Sequence, residues 1–191
     1  MYIGLDILRD CNNNDRKAQK ILYESCYRIF MPLCMQYNSN TEDARFAFNN
    51  AFLKIISSLN NIKLEELNFY AWSKKIITNV LIDEYRKVKN HNTHYLSKET
   101  DYELEIHSEN NINDAESNFG YDTLIRMIEE IPKINGLVFK LYVIEGYSHR
   151  EIASQLKVSE GTSKWHLSTA RKLLREKLER MDAIIEKRMI I

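Results

Sequence analysis

The sequence predicts an all-α protein made of two small helical domains joined by a flexible acidic linker. Its 191 residues include only 5 Gly and 2 Pro, whereas β-rich chains need many tight turns that are usually built with those residues. Apolar residues recur at helical spacing before and after a polar stretch at 91–118, which holds one basic and seven acidic residues. We therefore expect a first domain at 14–90, the linker at 91–118 and a second domain at 119–180.

The charges are segregated along the chain, although 27 basic and 27 acidic residues cancel overall. Residues 16–90 carry a net +5 and residues 119–180 a net +3, while residues 91–118 carry −6. Basic blocks suit a polyanion, so neutrality of the whole chain does not exclude nucleic acid. No stretch approaches the roughly 18 apolar residues of a membrane span, and the start lacks the apolar core of a signal peptide. We expect a cytoplasmic protein.

Three helices are expected in the first domain. The run Asn12–Asn14 with Asp15 can cap the first helix, and Pro32 favours a kink or a break within it. Thr41 is expected to cap the second helix, and the third should cover about Phe69–Lys89. The expected inner face of the second helix is Ala44, Phe48, Ala51, Phe52, Ile55, Ile56 and Leu59. That of the third is Trp72, Ile76, Val80, Tyr85 and Val88.

The sequence carries no sign of a cofactor, a metal ion or a catalytic centre. Cys11, Cys26 and Cys34 lack the spacing of metal ligands, so we expect buried free thiols. The three histidines of the linker are expected to be solvated. There is no Gly-rich phosphate loop, metal-ligand cluster or nucleophile motif, which argues against an enzyme.

The most specific segment runs from His149 to Arg175 and has the spacing of a helix-turn-helix. Lys157–Ser159 should form the turn, with Ser159 capping the second helix. The residues expected to face inward are Ile152, Ala153, Leu156, Ser163, Leu167, Ala170 and Leu174. In such a motif the second helix enters the major groove of DNA. An ordinary helical hairpin with a solvated basic face is the alternative that the spacing alone leaves open.

The outward residues of that second helix suit DNA. Four of them lie in its first turns and are expected to read base edges: Lys164, Trp165, Ser168 and Thr169. Arg171 and Arg175 lie further along the helix and are expected to hold phosphates.

This segment and the residues before it resemble region 4 of the extracytoplasmic-function (ECF) RNA polymerase sigma factors, in the sigma-70 family. The resemblance runs through Ile131–Pro132 and Val138–Ala153, then Glu160–Lys164, Leu167 and Ala170–Lys172. It implies that the helix-turn-helix reads the minus-thirty-five promoter element. The implied contact residues are Thr162, Lys164, Trp165, Ser168, Thr169, Arg171 and Arg175.

The N-terminal half resembles region 2 of the same family, in Glu42–Ala44, Phe52–Lys54 and scattered positions from Phe69 to Arg86. The resemblance implies binding of core polymerase through Asp43, Asn49, Asn50, Phe52 and Leu53. It implies binding of the unpaired minus-ten element through Phe69, Tyr70, Trp72, Lys75, Asn79 and Arg86. Aromatic rings for base stacking and cations for the backbone are what single-stranded DNA requires.

The expected function is that of an alternative sigma factor, which binds bacterial core RNA polymerase and directs promoter-specific transcription initiation. The alternative is a stand-alone helix-turn-helix regulator with an unrelated N-terminal sensor, but this leaves the aromatic and basic third helix unexplained. The chain departs from the family at Asn49–Asn50, at Asn135–Gly136 and at Trp165, where small or polar residues are common. Promoter DNA and core polymerase are the expected partners, and control by an anti-sigma factor or another regulatory protein is left open.

Overall fold

The protein was studied as a computed structural model, which describes residues 3–38, 40–95 and 119–189. The chain divides into two compact units, Met1–Glu109 and Asn110–Ile191. The described residues form α-helices with one short 3₁₀-helix and one π-helical segment, and contain no strand. This confirms the predicted all-α class with two small helical domains. The predicted linker starts inside a helix that extends to Tyr95, and its remainder, 96–118, lies outside the described residues.

The N-terminal unit is built from four α-helices and the 3₁₀-helix. These are α1 (Leu5–Asn12), α2 (Arg16–Tyr37), α3 (Thr41–Leu59), the 3₁₀-helix (Leu64–Glu66) and α4 (Phe69–Tyr95). Helix α1 adds to the three helices that the sequence predicted. Pro32 lies within α2 without ending it, so the break that the sequence allowed does not occur.

Side-chain caps begin two of these helices. The Asp15 carboxylate accepts a hydrogen bond from the Ala18 amide at 2.8 Å, as the predicted cap of α2 requires. Helix α3 is capped by Asn40, whose side-chain oxygen accepts from the Asp43 amide at 2.8 Å. The prediction that Thr41 is the cap is therefore wrong by one residue. Asn40 takes the extended backbone that a capping residue needs, while Thr41 is already helical.

The core of this unit confirms most of the expected inner face of α3. Of that set only Ile56 is half-buried, and it still packs against the core. The expected inner face of α4 is confirmed in part: Val80 is buried and Trp72 and Ile76 are half-buried against the core, while Ile77, Leu81 and Ile82 are buried in addition. Tyr85 is half-buried, and the side chain of Val88 lies outside the described residues. The buried surface of α4 is wider than one stripe because α4 packs against both α2 and α3.

The three cysteines are buried free thiols, as predicted. Burial raises the pKa of Cys26 and of Cys34 to about 12, and that of Cys11 to about 11. All three therefore stay protonated at neutral pH and behave as small apolar side chains.

The C-terminal unit contains α5 (Phe119–Glu129), α6 (Lys133–Phe139), a π-helical segment (Lys140–Ile144), α7 (His149–Leu156) and α8 (Glu160–Met189). Pro132 is the residue just before α6, with an extended ψ of 130°. A β carbon on Gly136 would lie 2.9 Å from the Ile128 carbonyl oxygen, so α5 and α6 meet too closely for any larger residue there.

Candidate nucleic-acid interface

The helix-turn-helix begins with a capping box on α7. The Ser148 hydroxyl accepts from the Glu151 amide at 3.3 Å, and the Glu151 carboxylate accepts from the Ser148 amide at 2.9 Å. Two of the unpaired amides at the start of α7 are thereby satisfied. The capping box thereby fixes where α7 begins.

The turn between α7 and α8 depends on one left-handed residue. Lys157 has φ 55° and ψ 46°, and the next amide, of Val158, donates to the Ala153 carbonyl at 3.0 Å. Glycine is the usual residue at such a position, because a β carbon is disfavoured there. The chain therefore makes the predicted turn with a lysine, whose left-handed backbone is less favourable in conformational energy than that of a glycine.

Ser159 caps α8, as predicted. Its hydroxyl oxygen accepts from the Thr162 amide at 3.0 Å and lies 2.8 Å from the Thr162 hydroxyl. The hydroxyl of Thr162 is thus engaged in the cap, although Thr162 belongs to the expected set of DNA contacts. The first turn of α8 is held firmly at the surface of the unit.

The buried side of α8 is the predicted one, with Ser163, Leu167, Ala170 and Leu174 all buried. At about 100° per residue, Trp165, Ser168 and Lys172 fall on the opposite side of the helix. We call these three residues the recognition face. Trp165 is 60% exposed, the largest apolar side chain on this surface. Thr169 lies to one side of the face and is half-buried.

The other side of the recognition face is basic. Lys164, Arg171 and Arg175 are exposed and follow one another along α8, and we call them the basic flank. The guanidinium carbon of Arg171 lies 5.9 Å from the ring centroid of Tyr142. That ring in turn stacks on His149 with centroids 4.5 Å apart.

Two polar contacts hold α8 to the rest of the unit. The His149 Nδ1 lies 3.0 Å from the hydroxyl of buried Ser163. The His166 Nδ1 lies 2.6 Å from the side-chain oxygen of Asn135, which is 4% exposed. The ring of Trp165 meets that of His166 edge-on at 4.9 Å. Asn135, one of the departures from the family pattern, thus anchors the neighbour of Trp165.

In the N-terminal unit, helix α4 has a polar side opposite most of its buried residues. Lys75, Asn79 and Arg86 lie on this side at helical spacing, with Lys75 exposed and the other two half-buried. One guanidinium nitrogen of Arg86 lies 3.1 Å from the Asp83 carboxylate.

The aromatic residues of α4 are divided between core and surface. Phe69 is 8% exposed and its ring lies 5.8 Å from that of Trp72, so Phe69 is part of the core in this structure. Trp72 packs partly against the core from the polar side of the helix. Tyr70 is exposed on a different side, where it stacks on Phe30 at 5.5 Å. The structure therefore does not bring Tyr70 together with Lys75 and Asn79.

The outward side of α3 carries an apolar pair. Leu53 is 67% exposed, and Phe46, two turns earlier on the same side, is 64% exposed. Phe46 was missed from the sequence, although its seven-residue spacing from Leu53 and its position opposite the inner face could have indicated it. Phe52, in contrast, is buried and meets Tyr23 edge-on at 5.0 Å.

The polar candidates on α3 surround this pair. Asn49 accepts a hydrogen bond from the Tyr23 hydroxyl at 2.9 Å, and the Asn50 amide donates to Glu84 at 3.4 Å. The Asp43 carboxylate accepts from the Asn40 side chain at 2.8 Å. A shallow groove of about 520 Å³ beside them is lined by Tyr23, Glu24, Tyr27, Arg28, Arg45 and Asn49.

A family model for sigma-70, region 4, matches residues 121–174. Over these residues the chain is similar to region 4 of the sigma-70 family. The matched residues run from α5 into α8 and include the whole helix-turn-helix, so the region 4 match lies within the C-terminal unit. The match supports the predicted resemblance to region 4, and the stand-alone regulator is not favoured.

Two solved structures are similar to this chain at low identity. One is CnrH in complex with the cytosolic domain of CnrY, with 15% identity, a TM-score of 0.47, and coverage of 92% of this chain and 97% of that chain. The other is the sigma factor RpoE in complex with the anti-sigma factor NepR from Bartonella quintana. Its identity is 16% and its TM-score 0.49, and the match covers 84% of this chain and 96% of that chain. No curated protein sequence matches the chain.

Within the described part of the chain, no three His, Cys, Asp or Glu side chains are grouped in a way that could hold a metal ion. Among the helices that the structure describes, none is long and apolar enough to cross a membrane.

Proposed function

We propose that this chain is an alternative sigma factor of the ECF type, in the sigma-70 family, which binds bacterial core RNA polymerase and directs it to promoters. The observation that carries the proposal is the agreement between the region 4 match and the geometry of the helix-turn-helix. Such a protein binds and positions without catalysing a reaction itself, and it acts in the cytoplasm, where the polymerase is found.

In this proposal, α8 reads the minus-thirty-five element from the major groove. Trp165 and Ser168 lie on the recognition face and approach the base edges, with Trp165 suited to thymine methyl groups. Lys164 and Thr169 border that face and extend the contact. Arg171 and Arg175, on the basic flank, hold phosphates, and Thr162 contributes through the capped first turn.

The minus-ten element is bound by the polar side of α4. Lys75 and Arg86 neutralise the backbone of the unpaired strand, and Asn79 donates and accepts hydrogen bonds with a base. Trp72 offers the exposed part of its ring from the same side of the helix. Tyr70 contacts the strand separately, and buried Phe69 supports Trp72 from within the core.

The outward side of α3 binds core polymerase. Phe46 and Leu53 form an apolar contact of the kind that anchors protein interfaces, and Asn49, Asn50 and Asp43 supply the polar rim. Phe52 shapes this surface from below, because it is buried. An anti-sigma factor or another regulatory protein is the class of partner that would cover the same apolar pair when polymerase is not bound.

The proposal is tested by transcription with purified core polymerase and a library of promoter templates. The full chain should form a one-to-one complex with core and select a subset of promoters for run-off transcription. Leu53→Asp should weaken the complex by about tenfold or more, since burying a leucine contributes about 1.5–3 kcal/mol. Leu5→Asp is the matched control, because Leu5 is exposed on α1. A folded chain that does not bind core at low salt would exclude the sigma function.

The minus-ten role is tested separately with Asn79→Ala. This variant should bind upstream duplex normally but lose permanganate reactivity of thymines near the start site, because strand opening is impaired. On a template that is already unpaired in this region, its transcription should recover. Normal opening by Asn79→Ala on duplex templates would contradict the assignment.

A further inference from the structure

Three side chains from three elements of region 4 meet beside the basic flank. Tyr142 comes from the π-helical segment, His149 is the first residue of α7, and Arg171 lies in the fourth turn of α8. The Tyr142 ring stacks on His149 at 4.5 Å with an interplanar angle of 26°, and the Arg171 guanidinium carbon lies 5.9 Å from the same ring. The sequence indicated a role only for Arg171, because the other two residues precede the recognition helix.

The tyrosine holds both groups in place. Stacking of a planar cation over an aromatic face restricts the long side chain of Arg171, which would otherwise sample many rotamers. Stacking on the same tyrosine also restricts the imidazole of His149. Tyr142 itself is 36% exposed, so the cluster lies at the surface, where a ligand can reach it.

The orientation of His149 is set by a buried partner. Its Nδ1 lies 3.0 Å from the hydroxyl of Ser163, which is fully buried on α8. This hydroxyl can donate to a neutral ring or accept from a protonated one, so the contact persists in both charge states. Because Nδ1 faces the interior, Nε2 lies on the other edge of the ring and faces outward.

The charges around His149 favour the neutral ring when no DNA is bound. Burial lowers the pKa of His149 below its ordinary value of 6.5, and Lys164 and Arg171 on α8 lower it further, while Glu160 opposes them. On its own helix, Arg150 is adjacent and Glu151 is held by Ser148 in the capping box. A phosphate bound between these cations would raise the pKa of His149, because its negative charge stabilises the imidazolium.

We propose that His149 and Arg171, positioned by Tyr142, form a binding site for one phosphate of the promoter backbone, in which His149 binds as the imidazolium. The site rests on the proposed DNA-binding function of region 4 and adds a residue outside the recognition helix. Binding takes up one proton from solvent at Nδ1, which then donates to the Ser163 hydroxyl, while the N–H at Nε2 faces the phosphate. No proton is released. Affinity for DNA therefore rises as the pH falls toward the pKa of His149 in the free chain, below 6.5.

The first experiment follows the protonation of His149 in the full chain by NMR. The pH titration of its ring signals is recorded without DNA and with a 30-base-pair duplex of random sequence, the length being about three helical turns. The pKa should be below 6.5 in the free chain and should rise when the duplex is added. An unchanged or lowered pKa in the complex would overturn the proposal.

The second experiment measures binding of the same duplex as a function of salt, at about pH 5.5 and about pH 8. Loss of one phosphate contact lowers the slope of log K against log salt by about 0.9. His149→Gln should show this loss at the acidic pH and none at the alkaline pH. Tyr142→Ala should lower the slope at both, because Arg171 also loses its support, and Tyr142→Phe should keep it.

His166→Gln is the matched control, since His166 is also a half-buried histidine of the C-terminal unit but its Nδ1 faces Asn135. It should keep the pH dependence of the wild-type chain. Equal slopes for His149→Gln and wild type at acidic pH would overturn the phosphate site while leaving the DNA-binding function intact. A wild-type chain that does not bind the duplex at either pH would overturn both. Loss of affinity that is the same at both pH values would show a neutral histidine contact and contradict the imidazolium.

Discussion

Helix α4 of the N-terminal unit and helix α8 of the C-terminal unit both carry aromatic and basic side chains, but they place the aromatic rings differently. On α4, Phe69 is buried, and Trp72 packs against it at the edge of the core. On α8, Trp165 lies opposite the buried stripe and is 60% exposed, although it stands only two residues from buried Ser163.

The difference shows two ways of building a nucleic-acid surface on a small helical domain. On α4 the same aromatic residues support the fold and border the polar side, so a change there affects stability and binding together. On α8 the buried stripe consists of small and aliphatic residues, and the outward residues do not support the core. Region 4 can therefore change what it reads without changing how it folds.

The largest expected effect tests whether the two units are stabilised separately. Phe48→Ala should destabilise the N-terminal unit by about 3–5 kcal/mol, because a fully buried ring is removed. Leu167→Ala should destabilise the C-terminal unit by about 2–5 kcal/mol. Amide hydrogen exchange should show each loss only in its own unit. Equal loss of protection in both units after either change would contradict their separate stability.

The two tryptophans differ in how much their rings support the fold. Trp72→Ala should cost the N-terminal unit about 2 kcal/mol or more, because part of the ring packs against the core. Trp165→Ala should leave the stability of the C-terminal unit within about 0.5 kcal/mol of wild type. It should still cost about 1–3 kcal/mol of base discrimination. Urea unfolding measures the change in stability, and promoter-selection assays measure the base discrimination. A large loss of stability in Trp165→Ala would show that Trp165 supports the fold as Trp72 does.

The C-terminal unit also has a tight contact between α5 and α6 at Gly136. Gly136→Ala should destabilise it by about 1–3 kcal/mol, since the new β carbon would lie 2.9 Å from the Ile128 carbonyl and the helices would have to separate. Thermal unfolding of the variant measures the loss. Gly120→Ala is the control, because a β carbon there would meet nothing within 4 Å. Similar melting curves for both variants would show that the helices separate without cost.

The smallest expected effect is a gain in stability. Lys157→Gly should stabilise the C-terminal unit by up to about 1 kcal/mol, because the turn residue has φ 55° and a β carbon is strained there. The larger freedom of glycine in the unfolded chain opposes part of this gain. Chemical denaturation measures the difference, and DNA binding should be unchanged. A destabilised variant would show that the lysine side chain contributes more than the strain costs.

The pattern of residues by itself determined the helix-turn-helix. The four buried residues of α8 and the cap at Ser159 lie where the sequence placed them, because helical period and capping act over only a few residues. The same local rules predicted the caps less well where two polar residues compete. Asn40 displaced Thr41 as the cap of α3, and the backbone conformation decided between them.

Only the tertiary structure decided which side of a helix its neighbours cover. The period of α4 groups Trp72 with Lys75 and Asn79, but packing against both α2 and α3 determined that Phe69 is buried and Tyr70 exposed. The cluster of Tyr142, His149 and Arg171 joins residues far apart in the chain, and no spacing rule connects them. The helical period predicts which residues share a face of a helix. Which of these faces is buried, and which distant residues it contacts, depends on the neighbouring helices that pack against it.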